Sequence, residues 1–154
     1  MKRVAVFPGS FDPITKGHEE IVRRAATIFD EVIIAVGRNT SKSALFPEEM
    51  RLQWVTNTFA DLTNVRTEVF EGLTVDFCRK NNARHIIRGL RNSGDFEYEM
   101  AIAAMNRSLW KEIDTLLLPA DPGWSAISST IVREIIKNKG DVSQFLPEGV
   151  NVYG

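Results

Sequence analysis

Apolar runs alternate with helix-spaced patterns along the whole chain. Val4–Phe7 is an apolar, partly β-branched run that predicts a buried strand, and Pro8-Gly9 ends it. From Gly17 to Phe29 the apolar residues Ile21, Val22, Ala25, Ala26 and Phe29 share one face of a helix. Val32–Val36 predicts a second buried strand, closed by Gly37. After a polar loop, Pro47 opens a helix with Glu48 and Glu49 in its first turn, where the helix dipole favours acidic groups. Val65–Phe70 is a weaker strand, interrupted by Arg66 and Glu68. Then follow a short helix (Leu73–Asn81), a strand (His85–Arg88), a helix capped by Asp95 (Asp95–Trp110) and a strand (Thr115–Leu118). A helix over Ser129–Lys139, closed by Gly140, precedes an irregular tail from Phe145 to Gly154.

Strands that alternate with helices imply crossover connections, and so an α/β fold: a five-stranded parallel sheet with helices on both faces. The chain shows no internal repeat or linker and reads as a single domain over 1–154. In such sheets ligands sit at the carboxyl ends of the strands, where the strand order reverses. The polar oddities of the sequence fall there: Gly9 to His18, Lys42, Arg88 to Arg91, and Trp124 to Thr130.

Composition narrows the choice of partner. The 154 residues are 44% hydrophobic and 25% charged, as in ordinary globular proteins, and the net charge of −1 provides no global field for nucleic acid. A polyanion site must therefore be a local cluster. No apolar stretch approaches the length of a membrane span, and the four-residue run before Pro8 is too short for a signal peptide. The single cysteine, Cys78, excludes an internal disulfide, favours a reducing compartment, and sits beside Val75 and Phe77 as a packing residue. The expectation is a cytoplasmic protein that binds neither nucleic acid nor membrane.

The loop after the first strand holds the candidate chemistry. Thr15 suits a helix N-cap, placing Gly17 and His18 in the first turn, where free N–H groups and the positive dipole end favour a phosphate. Neither a G-x-x-x-x-G-K-[ST] loop nor a G-x-G-x-x-G follows the first strand, and no cluster has zinc-ligand spacing. Ser128, Ser129 and Thr130 present a second run of hydroxyls at a helix start. Arg88 ends a buried strand, so its charge needs either a phosphate or a salt bridge. Trp124 suits either an adenine or a protein neighbour, and Arg133 either faces the same site or lies on a solvated face.

Thr15-x-Gly17-His18 followed much later by Ile127-Ser128-Ser129-Thr130-Ile131-Val132-Arg133 resembles the paired motifs of nucleotidyltransferases related to class I aminoacyl-tRNA synthetases. Pro8-Gly9-Ser10-Phe11-Asp12-Pro13, Ile87-Arg88-Gly89-Leu90-Arg91, Asp95–Met100, Met105-Asn106-Arg107 and Trp124–Thr130 narrow the match. Over nearly its whole length the chain resembles the bacterial phosphopantetheine adenylyltransferase family. Ser10 and Thr130 stand where many members carry Thr and Ser, and each keeps the hydroxyl.

The resemblance implies a Rossmann-like fold and transfer of an adenylyl group from ATP to 4′-phosphopantetheine. The products would be dephospho-coenzyme A and pyrophosphate, in the penultimate step of coenzyme A synthesis. It implies magnesium held mainly through ATP phosphates and water, a homohexamer, and feedback binding of coenzyme A. It places His18 as the catalytic donor, and Ser10, Phe11, His18, Gly89, Leu90, Arg91, Glu99, Trp124, Ser125, Ala126, Ile127, Ser128, Ser129 and Thr130 around ATP. Phosphopantetheine falls to Ser10, Lys42, Thr74 (with Leu73) and Arg88. The competing readings are a superfamily relative acting on another acceptor, such as nicotinate mononucleotide, and a non-catalytic nucleotide sensor.

Overall fold

The computed structural model describes residues 1–38 and 43–154, so Lys42 lies outside the described residues. Five strands form one parallel sheet: β1 (Val4–Gly9), β2 (Glu31–Gly37), β3 (Val65–Phe70), β4 (His85–Leu90) and β5 (Asp114–Pro119), in the order β3-β2-β1-β4-β5. Five helices separate or follow them: α1 (Lys16–Ala26), α2 (Glu48–Thr58), α3 (Thr74–Lys80), α4 (Ser93–Leu109) and α5 (Ser129–Lys137).

The strands are apolar on both sides because both sides are covered, and the side-chain period of two sorts them. Ala5, Phe7, Val32, Ile34 and Val36 pack with Ile21, Val22 and Ala25 of α1 and Val55 of α2. Val4, Val6, Ile33 and Ala35 point the other way, onto Val75, Phe77 and Cys78 of α3. Cys78 is buried, which pushes its thiol up to about 12 and makes it a packing residue, as expected.

The strand order reverses between β1 and β4, and the strands part there. β1 pairs with β2 through six residues, Val4 to Gly9, but with β4 only at Ala5↔His85 and Val6↔Ile86. Pro8 has no N–H to continue a ladder, and its carbonyl accepts a hydrogen bond from the Arg88 guanidinium at 2.7 Å. A crevice opens above this point.

Several helix ends differ from expectation: α1 stops at Ala26, three residues short of Phe29, and two further ends carry a physical reason. α4 begins at Ser93, and its cap is Asn92, whose side chain accepts from the Asp95 N–H at 2.9 Å. Asp95 is therefore inside the first turn, where its carboxylate meets the dipole and accepts from the Arg91 N–H and guanidinium, both at 3.0 Å. α5 ends at Lys137, and the left-handed residue that closes it is Lys139 (φ 63°). The Lys139 and Gly140 N–H groups reach back to Ile136 O and Ile135 O, each at 2.9 Å, as a Schellman turn requires. Gly140 is needed for space: a Cβ there would lie 2.6 Å from the Ile135 side chain.

A lysine in the left-handed region costs about 1–2 kcal/mol, partly offset by the greater unfolded-state freedom of a glycine. Lys139→Gly should therefore raise stability by about 0.5–1 kcal/mol, read as a rise in Tm of roughly 2 °C. The tail is less free than its composition suggests. Leu146 is buried with Val132 and Val142, and the Tyr153 hydroxyl donates to Gly140 O while accepting from the Val142 N–H at 3.1 Å.

Candidate active site

The helix that starts at Lys16 carries the central side chain. Thr15 is its N-cap, as expected, and the capping box is closed by His18 instead of the usual Glu or Gln. The Thr15 N–H donates to His18 Nδ1 at 3.0 Å, and the His18 N–H donates to Thr15 Oγ1 at 3.4 Å. With Nδ1 occupied as an acceptor, the neutral ring carries its proton on Nε2. Phe11 and Phe7 hold the ring edge-on at centroid distances of 4.9 and 6.2 Å.

Burial, then the neighbouring Arg88 and Arg91 charges, push the His18 imidazole down from 6.5 to about 4. Because the folded chain takes up this proton later than the unfolded chain, stability is full above pH 6.5 and falls as the pH drops towards 4. His18→Gln keeps the capping box but loses the titration. Between pH 7 and 4.5 the native chain should lose about 1–2 kcal/mol more than this variant, roughly 3–6 °C in Tm.

Two cavities meet above the parted strands. One, of about 380 Å³, is lined by His18, Gly17, Gly89, Arg91, Trp124 and the Ile127–Thr130 segment. The N-termini of α1 and α5 both open onto it, which concentrates unpaired N–H groups and positive dipole ends in one place. The other, of about 440 Å³, is lined by Gly37, Arg38, Phe70, Thr74, Ile102, Ala103 and Asn106. Pro8, Gly9, Ser10, Arg88, Tyr98 and Glu99 line both.

Several expected residues have partners of their own. Arg88 donates through Nε to Glu99, at 2.6 and 3.1 Å to its two oxygens, and Glu99 is only 4% exposed. The salt bridge is thus present at Arg88, which also faces both cavities. Glu99 is its counter-ion. Ser128 caps α5, accepting from the Ile131 N–H at 3.2 Å. Ser129 donates to Pro13 O at 2.9 Å, and Thr130 accepts from Arg133 at 3.2 Å. Arg133 lies in the cavity wall, where it also donates to Asp12 O at 2.9 Å. Trp124 has the Lys16 ammonium 5.3 Å from its ring.

Phe11 is buried and reaches the cavity from beneath His18. Leu90, Ser125 and Ala126 do not line either cavity, and Leu73 is exposed beside Thr74.

A family model described as cytidylyltransferase-like matches residues 6–135. A phosphopantetheine adenylyltransferase of Cytophaga hutchinsonii is 47% identical over 147 residues, covering 96% of this chain and 98% of that protein. Another, of Flavobacterium psychrophilum, is 49% identical over 150 residues, covering 97% and 99%. The chain belongs to the phosphopantetheine adenylyltransferase family.

Its fold is shared more widely. A crystal structure described as a putative nicotinate-nucleotide adenylyltransferase of Vibrio parahaemolyticus matches with a TM-score of 0.72 at 19% identity, over 97% of this chain and 96% of that one. In this member of the phosphopantetheine adenylyltransferase family, sequence reasoning missed the wall formed by Phe70 at the end of β3 and by Ile102, Ala103 and Asn106 of α4, which lies across β4 and β5; Asn106 enters the sequence reading only as part of a motif. It also missed Arg51, which is 3% exposed. One signal was present: Arg51 shares the inward face of α2 with Val55 and Thr58.

Proposed function

We propose that this chain catalyses adenylyl transfer from ATP to 4′-phosphopantetheine, releasing pyrophosphate and forming dephospho-coenzyme A. The observation that carries this reading is the meeting of two cavities at Ser10 and Arg88, beside His18, in a chain of this family. The cavity under two helix N-termini suits a triphosphate. The one with Phe70, Ile102 and Ala103 suits an uncharged arm whose phosphate reaches Ser10 and Arg88.

A phosphate monoester has its second pKa at about 6, so the attacking oxygen is already charged at neutral pH and needs no base. One P–O bond forms from this oxygen to the α-phosphorus, and the bond to pyrophosphate breaks. The protein holds the two phosphates in line and stabilises charge on the non-bridging α-oxygens. His18 is the donor for that charge through Nε2–H, while Nδ1 is held by Thr15. Ser10 and Arg88 orient the attacking phosphate.

The carboxylates beside the cavities, Asp95 and Glu99, are engaged by Arg91 and Arg88. Among the described residues no group of three or more His, Cys, Asp or Glu is placed to hold a metal ion. This donor set fits magnesium carried on the triphosphate, where it would neutralise the leaving pyrophosphate. Coenzyme A, which joins an adenine nucleotide to a pantetheine arm, would span both cavities as a feedback ligand. Phe96, Met100, Met105 and Leu109 leave apolar surface exposed along α4, which supports self-association; the number of six copies is what the family resemblance implies. No described helix is long and apolar enough to cross a membrane.

The test is pyrophosphate release from ATP and magnesium with 4′-phosphopantetheine or nicotinate mononucleotide as acceptor. Release only with phosphopantetheine is expected. Release only with the nucleotide would keep the reaction and reject the acceptor. Binding of ATP with no release would favour a sensor.

A further inference from the structure

The wall of the Thr74 cavity is braced from behind by two buried ionic side chains whose hydrogen-bond partners among the described residues are backbone groups. Arg51 is 3% and Asp12 5% exposed. Arg51 donates through Nε to Phe46 O at 3.1 Å, and through Nη1 to Ser10 O at 2.7 Å and Gly37 O at 3.3 Å. The Asp12 carboxylate accepts from the Leu45 and Phe46 N–H groups at 2.8 and 2.9 Å. A buried charge is stabilised only when its hydrogen-bonding capacity is met, so Arg51 and Asp12 hold these backbone groups at fixed separations.

That shape joins three segments distant in sequence: the loop after β1, the end of β2 and the entry to α2. Ser10, Gly37 and Arg38 line the Thr74 cavity, whereas Gly37 and Arg38 are absent from the wall of the His18 cavity. The same helix steadies Arg38, which donates to Glu48 at 2.8 Å. Arg51 therefore bears on Ser10 and on a wall belonging to one cavity alone.

We infer that Arg51, with Asp12, is a positioning residue that acts mainly on the acceptor substrate: it sets the spacing between Ser10, which lines both cavities, and the Gly37–Arg38 wall, which lines the Thr74 cavity alone. The assignment of the Thr74 cavity to the acceptor rests on the proposed function; the clamp does not. A lysine cannot replace it, because a single ammonium lacks the fork that reaches three carbonyls from two nitrogens.

Arg51→Lys and Asp12→Asn in the full chain test this, with two readouts. The first is amide hydrogen exchange at Leu45 and Phe46, which requires no substrate. It should accelerate by about 10-fold in both variants while the β1 and β2 core amides keep their protection, as loss of one local constraint implies. The second is steady-state kinetics. KM for 4′-phosphopantetheine should rise by about 10-fold, clearly more than KM for ATP, because Gly37 and Arg38 line the Thr74 cavity alone whereas Ser10 lines both.

Unchanged exchange at Leu45 and Phe46 would overturn the clamp. Equal rises in both KM values, or faster exchange with unchanged kinetics, would reduce Arg51 to general scaffolding and overturn the acceptor role. If the native chain proves to use a different acceptor, the functional reading fails separately. The clamp is then judged by exchange and its specificity by the KM for that acceptor.

Discussion

His18→Ala should lower kcat by roughly 10²–10³-fold, the usual cost of removing one preorganised donor to a developing oxyanion, while KM for ATP changes little. The loss has a structural part as well. The side chain closes the α1 capping box, so alanine should also cost about 1 kcal/mol of stability. His18→Gln separates the two effects. Its amide oxygen can accept from the Thr15 N–H, and its amide nitrogen can donate where Nε2 did. This variant should keep native stability at pH 7 and recover part of the rate. A measured kcat within a few-fold of native for His18→Ala would remove His18 from the reaction. The burial and arginine charges that push this imidazole down to about 4 keep the group neutral at working pH, which suits the donor role proposed for it.

Arg88→Ala should abolish measurable transfer and destabilise the fold together. It would strand the Glu99 carboxylate, 4% exposed, without its cation, and free the Pro8 carbonyl where β1 leaves β4. Losing one partner of a fully buried pair costs about 3–5 kcal/mol; the Arg88 side chain is 34% exposed, so water moderates this to about 2–3 kcal/mol. At this chain length that is roughly 5–10 °C in Tm. Replacing both partners, Arg88→Met with Glu99→Met, removes the stranded charge and should return most of the stability without activity. Thermal melts and pyrophosphate release on the two proteins check both halves. A native Tm for Arg88→Ala would show that the Glu99 pair contributes nothing to the fold.

How far the site could be read in advance depended on the range of the interaction. Thr15, Gly17 and His18 were legible because a cap and its first turn are local: four consecutive positions decide where the N–H groups point. Ser128 to Thr130 were legible for the same reason. The edges that were misread are also local, but there neighbours compete. Asn92 outcompeted Asp95 as the cap because Asp95 is better used three residues into the helix, against Arg91. Lys139 took the left-handed position because Gly140 is held by the close approach of Ile135.

By itself the sequence determined the strand–helix alternation, the parallel sheet, the two hydroxyl-bearing helix starts and the family, since each is written in short-range pattern or in continuous motif. Which group each arginine meets was settled on folding. Arg88 pairs with Glu99, eleven residues away; Arg133 reaches back 121 residues to the Asp12 backbone carbonyl, and Arg51 spans 41 to the Ser10 backbone carbonyl. Local spacing can hint that an arginine is buried, as for Arg51 on the Val55–Thr58 face of α2, but it does not give the partner. The partner is fixed when β1 and β4 part and α1, α4 and α5 close around the gap, because burial makes an unpartnered charge costly and so selects it.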